Sequence, residues 1–414
     1  MILKQLGINS LWLLFARVLT QGLSVLFIAI VARNLGVRIF GQYTILASIV
    51  YLGNVFTTYG VDVLLIREIA RDRQVTQLAS TALWVQISLS LLWCVIFLIG
   101  SFPFLTSELT VMLFLYNLSL LPLAFYTVCS STLRAFERMD LFMGINLCGA
   151  LLQVLGALML VKTSDDLPLL CIWLVTAQVV TALVGVFLCK AHVPAFSLQM
   201  NPVFGDIMKL IRSGWRIALF SPLGLLSQRL NLFMLSSLLG DVSTGWFSAP
   251  ARLVEGLKLG HFAVTNSLMP SMSRPGSPEG QKIHKFSFYG LLLWSFVVAI
   301  IVTFMANPIV SIIYGIAFVP SVTILKIIIW VLIPYTFSIY FSLTLIMRGA
   351  EALVLNANLL CLIIAAGFYL FLIPRFGVHG AAWGTLATEV LQAATLFILS
   401  CRLSASINNV LRIP

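Results

Sequence analysis

The sequence predicts an all-α polytopic transmembrane protein of about twelve helices in two six-helix bundles. Three observations carry that expectation. First, 60% of the 414 residues are hydrophobic and only 9% are charged, with a mean hydropathy of +1.05. A soluble domain carries about a quarter charged residues, so this much apolar side chain needs an apolar solvent. Second, apolar segments of about twenty residues, each able to cross ~30 Å of hydrocarbon, recur along the whole chain. They lie near 9–32, 42–62, 77–100, 109–133, 141–161, 168–189, 213–237, 246–270, 286–306, 321–347, 352–373 and 379–401. Third, Lys and Arg fall unevenly between alternate loops. With an inside N-terminus, fifteen lie in inside segments and four outside: Arg33, Arg38, Lys162 and Arg375. That positive-inside bias predicts two cytoplasmic termini.

The first segment is too long for a cleaved signal peptide and lacks a small-residue cleavage pattern, so it is expected to be a retained helix. Cys94, Cys129, Cys148, Cys171, Cys189, Cys361 and Cys401 all fall in or at the ends of apolar segments. That placement argues against a disulfide scaffold and against a metal site. The net charge of +11 is mostly a topological signal, and no nucleic-acid partner is expected.

A polar interruption after the sixth span predicts an N-terminal six-helix lobe over 1–190, a cytoplasmic linker over 191–212 and a C-terminal six-helix lobe over 213–414. Two echoes point to duplication. Leu35-Gly36, with Gly41 and Tyr43, matches Leu239-Gly240, with Gly245 and Phe247, at an offset of 204. Arg134-Ala135-Phe136-Glu137 matches Arg348-Gly349-Ala350-Glu351 at 214. Halves of six spans share one orientation, a recurring transporter plan with a substrate path between lobes.

Ionisable groups at bilayer depth cost at least ~2.5–3.5 kcal/mol on insertion scales, so they face a cavity or a partner. Arg17 lies midway along the first span and Arg229 past the middle of the seventh, while Arg252, Glu255, Lys258 and His261 follow at steps of three in the eighth. Arg252–Glu255 and Glu255–Lys258 are both at pairing distance along a helix. Two readings compete: an ion-pair network that fastens lobes, or the lining of a hydrated cavity. Pairing alone leaves one cation over, which favours the cavity. Arg17, Arg229, Arg252, Glu255 and Lys258 are therefore the candidate substrate-binding residues. Arginine presents a rigid fork to phosphate or carboxylate oxygens, so an anionic ligand is expected. Glu389, about ten residues into the last span, and Asp62, at the end of the second, are candidates for ion coupling or pairing. His261 reads as a packed, hydrogen-bonded histidine. Pro250, just before the charged row, is expected to bend its helix.

The sequence has no G-x-x-x-x-G-K-[ST] loop, no metal-ligand spacing and no G-x-S-x-G elbow. Its longer connections are only about 15–23 residues. No enzymatic activity and no cofactor are expected, with proton or sodium coupling left open.

Three stretches carry a family resemblance. They are Asn9 and Arg17 followed by Ala32-Arg33-Asn34-Leu35-Gly36 and Phe40-Gly41-Gln42-Tyr43; Leu239-Gly240 through Gly245-Trp246-Phe247 and Ala251; and Ile373-Pro374-Arg375-Phe376-Gly377-Val378-His379-Gly380-Ala381-Ala382. Together they resemble the polysaccharide-exporting flippases of the multidrug/oligosaccharidyl-lipid/polysaccharide superfamily. The resemblance implies two six-helix bundles and movement of a polyprenyl-pyrophosphate-linked oligosaccharide from the cytoplasmic to the outer leaflet by alternating access. It also implies residence in a bacterial inner (plasma) membrane, with a polysaccharide polymerase or assembly proteins as candidate partners. Members often carry an acidic residue in the seventh helix where this chain has Asn231 or a neighbour, which weighs against a cation site there. The alternative within the superfamily is an ion-coupled multidrug exporter, which would prefer an acidic cavity. A major-facilitator carrier lacks support, because its glycine-aspartate-arginine signature is absent between Asp62 and Arg73. A lipid-modifying enzyme or a non-transporting assembly subunit are the remaining rivals.

Overall fold

The computed structural model describes residues 2–72, 75–101, 107–194, 196–199, 204–272 and 278–410. Among these there is no strand. Twelve α-helices follow in order: α1 Ile2–Thr58, α2 Val61–Asp72, α3 Val75–Ser101, α4 Ser107–Asn117, α5 Leu120–Ala135, α6 Met139–Leu160, α7 Leu167–His192, α8 Phe204–Met272, α9 Pro278–Ile313, α10 Ser321–Ile328, α11 Leu332–Met347 and α12 Glu351–Val410.

Helices and membrane passes do not correspond one to one. Eight helical stretches are long and apolar enough to cross a bilayer, but Leu19–Ile69 and Glu351–Leu403 are 51 and 53 residues long. Each is about twice what a single crossing takes. Both fold back on themselves. Phe27 and Tyr43 have ring centroids 6.2 Å apart, and Gln392 Nε2 lies 3.1 Å from Asn358 Oδ1. On straight helices those pairs would be separated by ~24 Å and ~51 Å. Helix α8 does the same, since Arg229 meets Glu255 across 26 residues. Eight stretches, two of them doubled, give ten passes, and the two legs of α8 complete twelve.

The reversals sit on Gly36 (φ 73, ψ 172), Gly240 (φ 78, ψ −172) and Gly377 (φ 60, ψ −138). This backbone region is essentially closed to residues with a Cβ. The first echo is therefore physical, since Gly36 and Gly240 perform the same turn 204 residues apart. The second echo needs correction. In one turn Glu137 (φ 58) is left-handed, and Arg138 N–H donates to Leu133 O at 2.9 Å; in the other Gly349 (φ 72) is left-handed, and Ala350 N–H donates to Leu345 O at 3.0 Å. These are the same helix-ending motif at an offset of 212, not 214. The matching letters lie two residues out of register with the matching geometry.

The chain falls into two compact units, residues 1–226 and 227–414, with α8 running across the division. The expected linker over 191–212 takes in the last residues of α7, described non-helical residues at 193–194 and 196–199, and the first turns of α8. In the N-terminal unit the buried centre is built from Ala79, Ala82, Val128, Cys129, Leu133 and Ile145. Polar bonds cross between its helices: Asn34 Nδ2 to Val161 O at 2.6 Å, Tyr126 Oη to Asn146 Oδ1 at 2.6 Å and Trp173 Nε1 to Leu152 O at 2.9 Å. Hydrocarbon offers no competing partners for such groups. Large apolar side chains point outward, Phe304 and Ile316 at 84% exposure and Phe187 at 69%, as a lipid-facing surface requires. All seven cysteines are free thiols. The Lys162 and Thr163 N–H groups donate to Asp166 Oδ2 at 2.9 and 2.8 Å.

In the C-terminal unit Pro250 has no N–H to offer the Trp246 carbonyl one turn earlier. Ser321 Oγ donates to that carbonyl at 2.7 Å, and Tyr314 Oη donates to Ala249 O at 2.9 Å. The proline is thus tied to the start of α10 and the end of α9, just before the charged row begins.

Candidate functional site

The charges of the C-terminal unit converge from both legs of α8 and from α12. Arg229 lies on the first leg with its side chain only 7% exposed. Its Nη1 and Nη2 reach the two oxygens of Glu255 on the second leg at 2.8 and 3.2 Å, a two-pronged pairing. Arg252, one turn before Glu255, adds a single contact from Nη1 to Oε2 at 3.2 Å. Lys258 turns the other way. Its Nζ sits 3.4 Å from Glu389 Oε2 on α12 and 4.3 Å over the Tyr335 ring. Three cations thus face two carboxylates. Arg252 is the least committed guanidinium of the cluster, with one bond to a carboxylate that Arg229 already holds by two.

Glu255, Lys258 and Glu389 line an open cavity of about 110 Å³ together with Gln228, Asn231 and Gln392, whereas Arg229 and Arg252 are not part of that lining. Asn231 Nδ2 donates to Thr385 Oγ1 at 3.1 Å, so this position carries a neutral amide in a polar pocket. His261 is fully buried, and its Nε2 lies 2.8 Å from both Ser295 Oγ and Thr336 Oγ1. Those hydroxyls already donate to Leu291 O and Leu332 O, which assigns the hydrogen to Nε2.

The N-terminal unit holds a second polar region, and the sequence reading missed it. A cleft of about 410 Å³ is lined by Asp62, Arg134, Tyr126 and Ser130, and a neighbouring one of about 220 Å³ by Tyr116, Gln153 and Gln178. Tyr51, Asn54 and Leu123 line both, so the two adjoin. Asp62 approaches Arg134 at 3.9 Å, and the Arg134 guanidinium lies 5.2 Å from the Phe142 ring centroid. Asp62 is thus a pairing residue in this geometry. Single Asn, Gln and Tyr residues spread over four helices carry no periodic signal, which is why the cleft could not be read from the sequence. Arg17 lies on the first leg of α1, and its side chain falls outside the described residues.

Comparison with known proteins places this geometry in context. A family model described as polysaccharide biosynthesis protein matches residues 6–275. No curated protein matches the sequence. Among solved structures, the fold is similar to an inward-facing multidrug resistance MATE family transporter of the MOP superfamily. The TM-score is 0.76 at 17% identity, covering 94% of this chain and 96% of the other. It is similar to the lipid II flippase MurJ in an inward closed conformation, at a TM-score of 0.71 and 14% identity over 94% of this chain and 87% of that one. A Pyrococcus furiosus MOP superfamily transporter, described as having a binding pocket of reverse polarity, aligns at 0.64 with 14% identity over 97% and 95%.

Proposed function

Because the chain belongs to the polysaccharide biosynthesis protein family, we propose that it flips a polyprenyl-pyrophosphate-linked oligosaccharide from the cytoplasmic to the outer leaflet by alternating access. The observation that carries this reading is the charge cluster on membrane-spanning helices: Arg229, Arg252 and Lys258 against Glu255 and Glu389. One positive charge is left over in a partly hydrated setting, which suits an anionic head group. Arg252 is the proposed diphosphate contact. Its guanidinium can exchange one bond to Glu255 for two phosphate oxygens, while Arg229 keeps Glu255 neutralised. Lys258 supplies a second cation at the cavity wall, and Arg17 is proposed separately as a substrate-binding residue of the N-terminal unit. The site must bind more strongly in one state than in the other, or the head group would be trapped.

Glu389 and Asp62 are the proposed ion-coupling residues, since each pairs with a basic side chain that a coupled proton would release. The fifteen-to-four distribution of loop cations supports a plasma-membrane protein with both termini in the cytoplasm. The reaction needs no covalent step, so the reading is of a transporter rather than an enzyme. A lipid-linked oligosaccharide supplier and a polymerase or assembly protein are its proposed neighbours in the membrane.

Depleting the protein tests the reading. Mass spectrometry of extracted lipids should then show a polyprenyl-diphosphate-linked oligosaccharide accumulating severalfold, with its sugar chain complete. An unchanged lipid-linked pool, alongside normal surface polysaccharide, would contradict the assignment.

A further inference from the structure

The function proposed above requires a place for a sugar as well as for a diphosphate. We propose that the N-terminal unit holds the glycosyl group of the substrate in the uncharged part of its cleft, through Asn54, Gln153 and Gln178 with Tyr51 and Tyr116 beside them. The inference rests on the function proposed above and adds to it the place where the sugar is recognised.

Chemical contrast among the pockets is the first argument. The C-terminal cavity carries Glu255, Lys258 and Glu389, and the adjoining part of the N-terminal cleft carries Asp62 and Arg134. The part around Gln153 and Gln178 has no acidic or basic side chain in its lining. It offers a phosphate no cation. It does offer carboxamides, each a donor and an acceptor at once, which matches the dual character of a sugar hydroxyl.

Availability is the second argument. Gln153 on α6 and Gln178 on α7 have no side-chain hydrogen-bond partner among the described residues, although both line the cleft. Asn54 Oδ1 accepts the Thr58 hydroxyl at 3.3 Å, which leaves its NH₂ group for a ligand. Two carboxamides without a partner among the described residues, and a third satisfied only at its oxygen, are costly in spanning helices unless something polar meets them. Water can do so, and a cleft of about 220 Å³ has room for several molecules. A sugar ring displaces them and repeats their hydrogen bonds, while its C–H faces lie against tyrosine rings.

Depth is the third. Tyr51 and Asn54 lie about a dozen residues or fewer before Asp62, and Gln153 lies fourteen residues into α6, roughly 21 Å from its start. The amide region therefore sits well inside the span. The Asp62–Arg134 region sits near the ends of α5 and α6, on the side expected to be cytoplasmic. A head group arriving from that side meets charge first and amides deeper in.

The test uses purified full-length protein in lipid nanodiscs and isothermal titration calorimetry. The probes are farnesyl diphosphate, alone or bearing glucose, galactose or N-acetylglucosamine. At least one glycosylated probe should bind more tightly than farnesyl diphosphate. The Gln153→Leu/Gln178→Leu double variant should weaken that probe about tenfold and leave farnesyl diphosphate within about twofold. If no glycosylated probe gains over farnesyl diphosphate, or the double variant keeps the gain, the amide region holds water only and the inference falls. If the double variant loses both classes of probe, Gln153→Asn and Gln178→Asn decide: a reduced ratio of glycosylated to sugar-free affinity supports the inference, and an unchanged ratio overturns it. Failure of wild-type protein to bind even farnesyl diphosphate would instead remove the proposed function beneath it.

Discussion

Arg252→Ala is expected to reach the membrane at near-normal abundance yet lose most translocation, whereas Glu255→Ala is expected to lose the protein itself. The difference follows from how the cluster is wired. Arg252 is 24% exposed and contributes one contact, so its removal leaves the Arg229–Glu255 pairing intact and costs about 1 kcal/mol or less. Removing Glu255 instead takes two hydrogen bonds from Arg229, whose side chain is only 7% exposed. Breaking a buried pair from one side costs about 3–5 kcal/mol, and the partial exposure of Glu255 brings the expectation nearer to about 2–3 kcal/mol. Quantitative blotting of membrane fractions should show the deficit, and Arg229→Leu/Glu255→Leu should recover most of it. At matched abundance, Arg252→Lys should retain a small, measurable fraction of lipid-linked oligosaccharide movement, because charge survives without the fork. Normal movement in Arg252→Ala would make the residue incidental. Recovery on adding Glu255→Gln would make its main task the neutralisation of Glu255, and the phosphate contact would have to be sought at Arg17, Arg229 or Lys258.

Gly240→Val and Gly36→Val should each destabilise their hairpin by about 1–3 kcal/mol, with valine at the upper end. Nothing lies within 4 Å of where a Cβ would sit at either glycine, so the first carbon added meets no neighbour and the cost is mainly conformational. Asparagine offers a further check. It tolerates left-handed helical backbone, but these residues sit at ψ 172 and −172, so asparagine should not rescue either site. Melting of detergent-solubilised variants measures the loss. A Gly240→Val protein that melts like wild type would show that the turn is not held in this geometry.

What the sequence disclosed follows from which interactions are local. Apolar length, loop charge and the turn glycines are local, so twelve passes and the Gly36–Gly240 correspondence could be read directly. The left-handed position of the other repeated turn was hidden because glutamate fills it at 137 and glycine at 349. Arg252 and Glu255 could be paired from their three-residue spacing alone. Arg229 and Glu389 could not be placed beside their partners, because those contacts span 26 and 131 residues and depend on the hairpin in α8 and the packing of α12. The amide cleft was the least legible of all. Its residues are ordinary one by one, and only the packing of four helices brings them to one cleft.

Translocation in a reconstituted membrane tests the central claim most directly. Proteoliposomes carrying a short polyprenyl diphosphate linked to a fluorescent oligosaccharide are exposed to an impermeant quencher, with an ion gradient imposed or absent. The account predicts that protected fluorophore becomes accessible in the presence of wild-type protein, does not with Arg252→Ala at equal protein content, and that a labelled phosphatidylcholine stays where it was placed. A wild-type protein that leaves the lipid-linked oligosaccharide protected under every gradient, yet concentrates a cationic dye across the same membrane, would contradict the account and assign the chain to drug export.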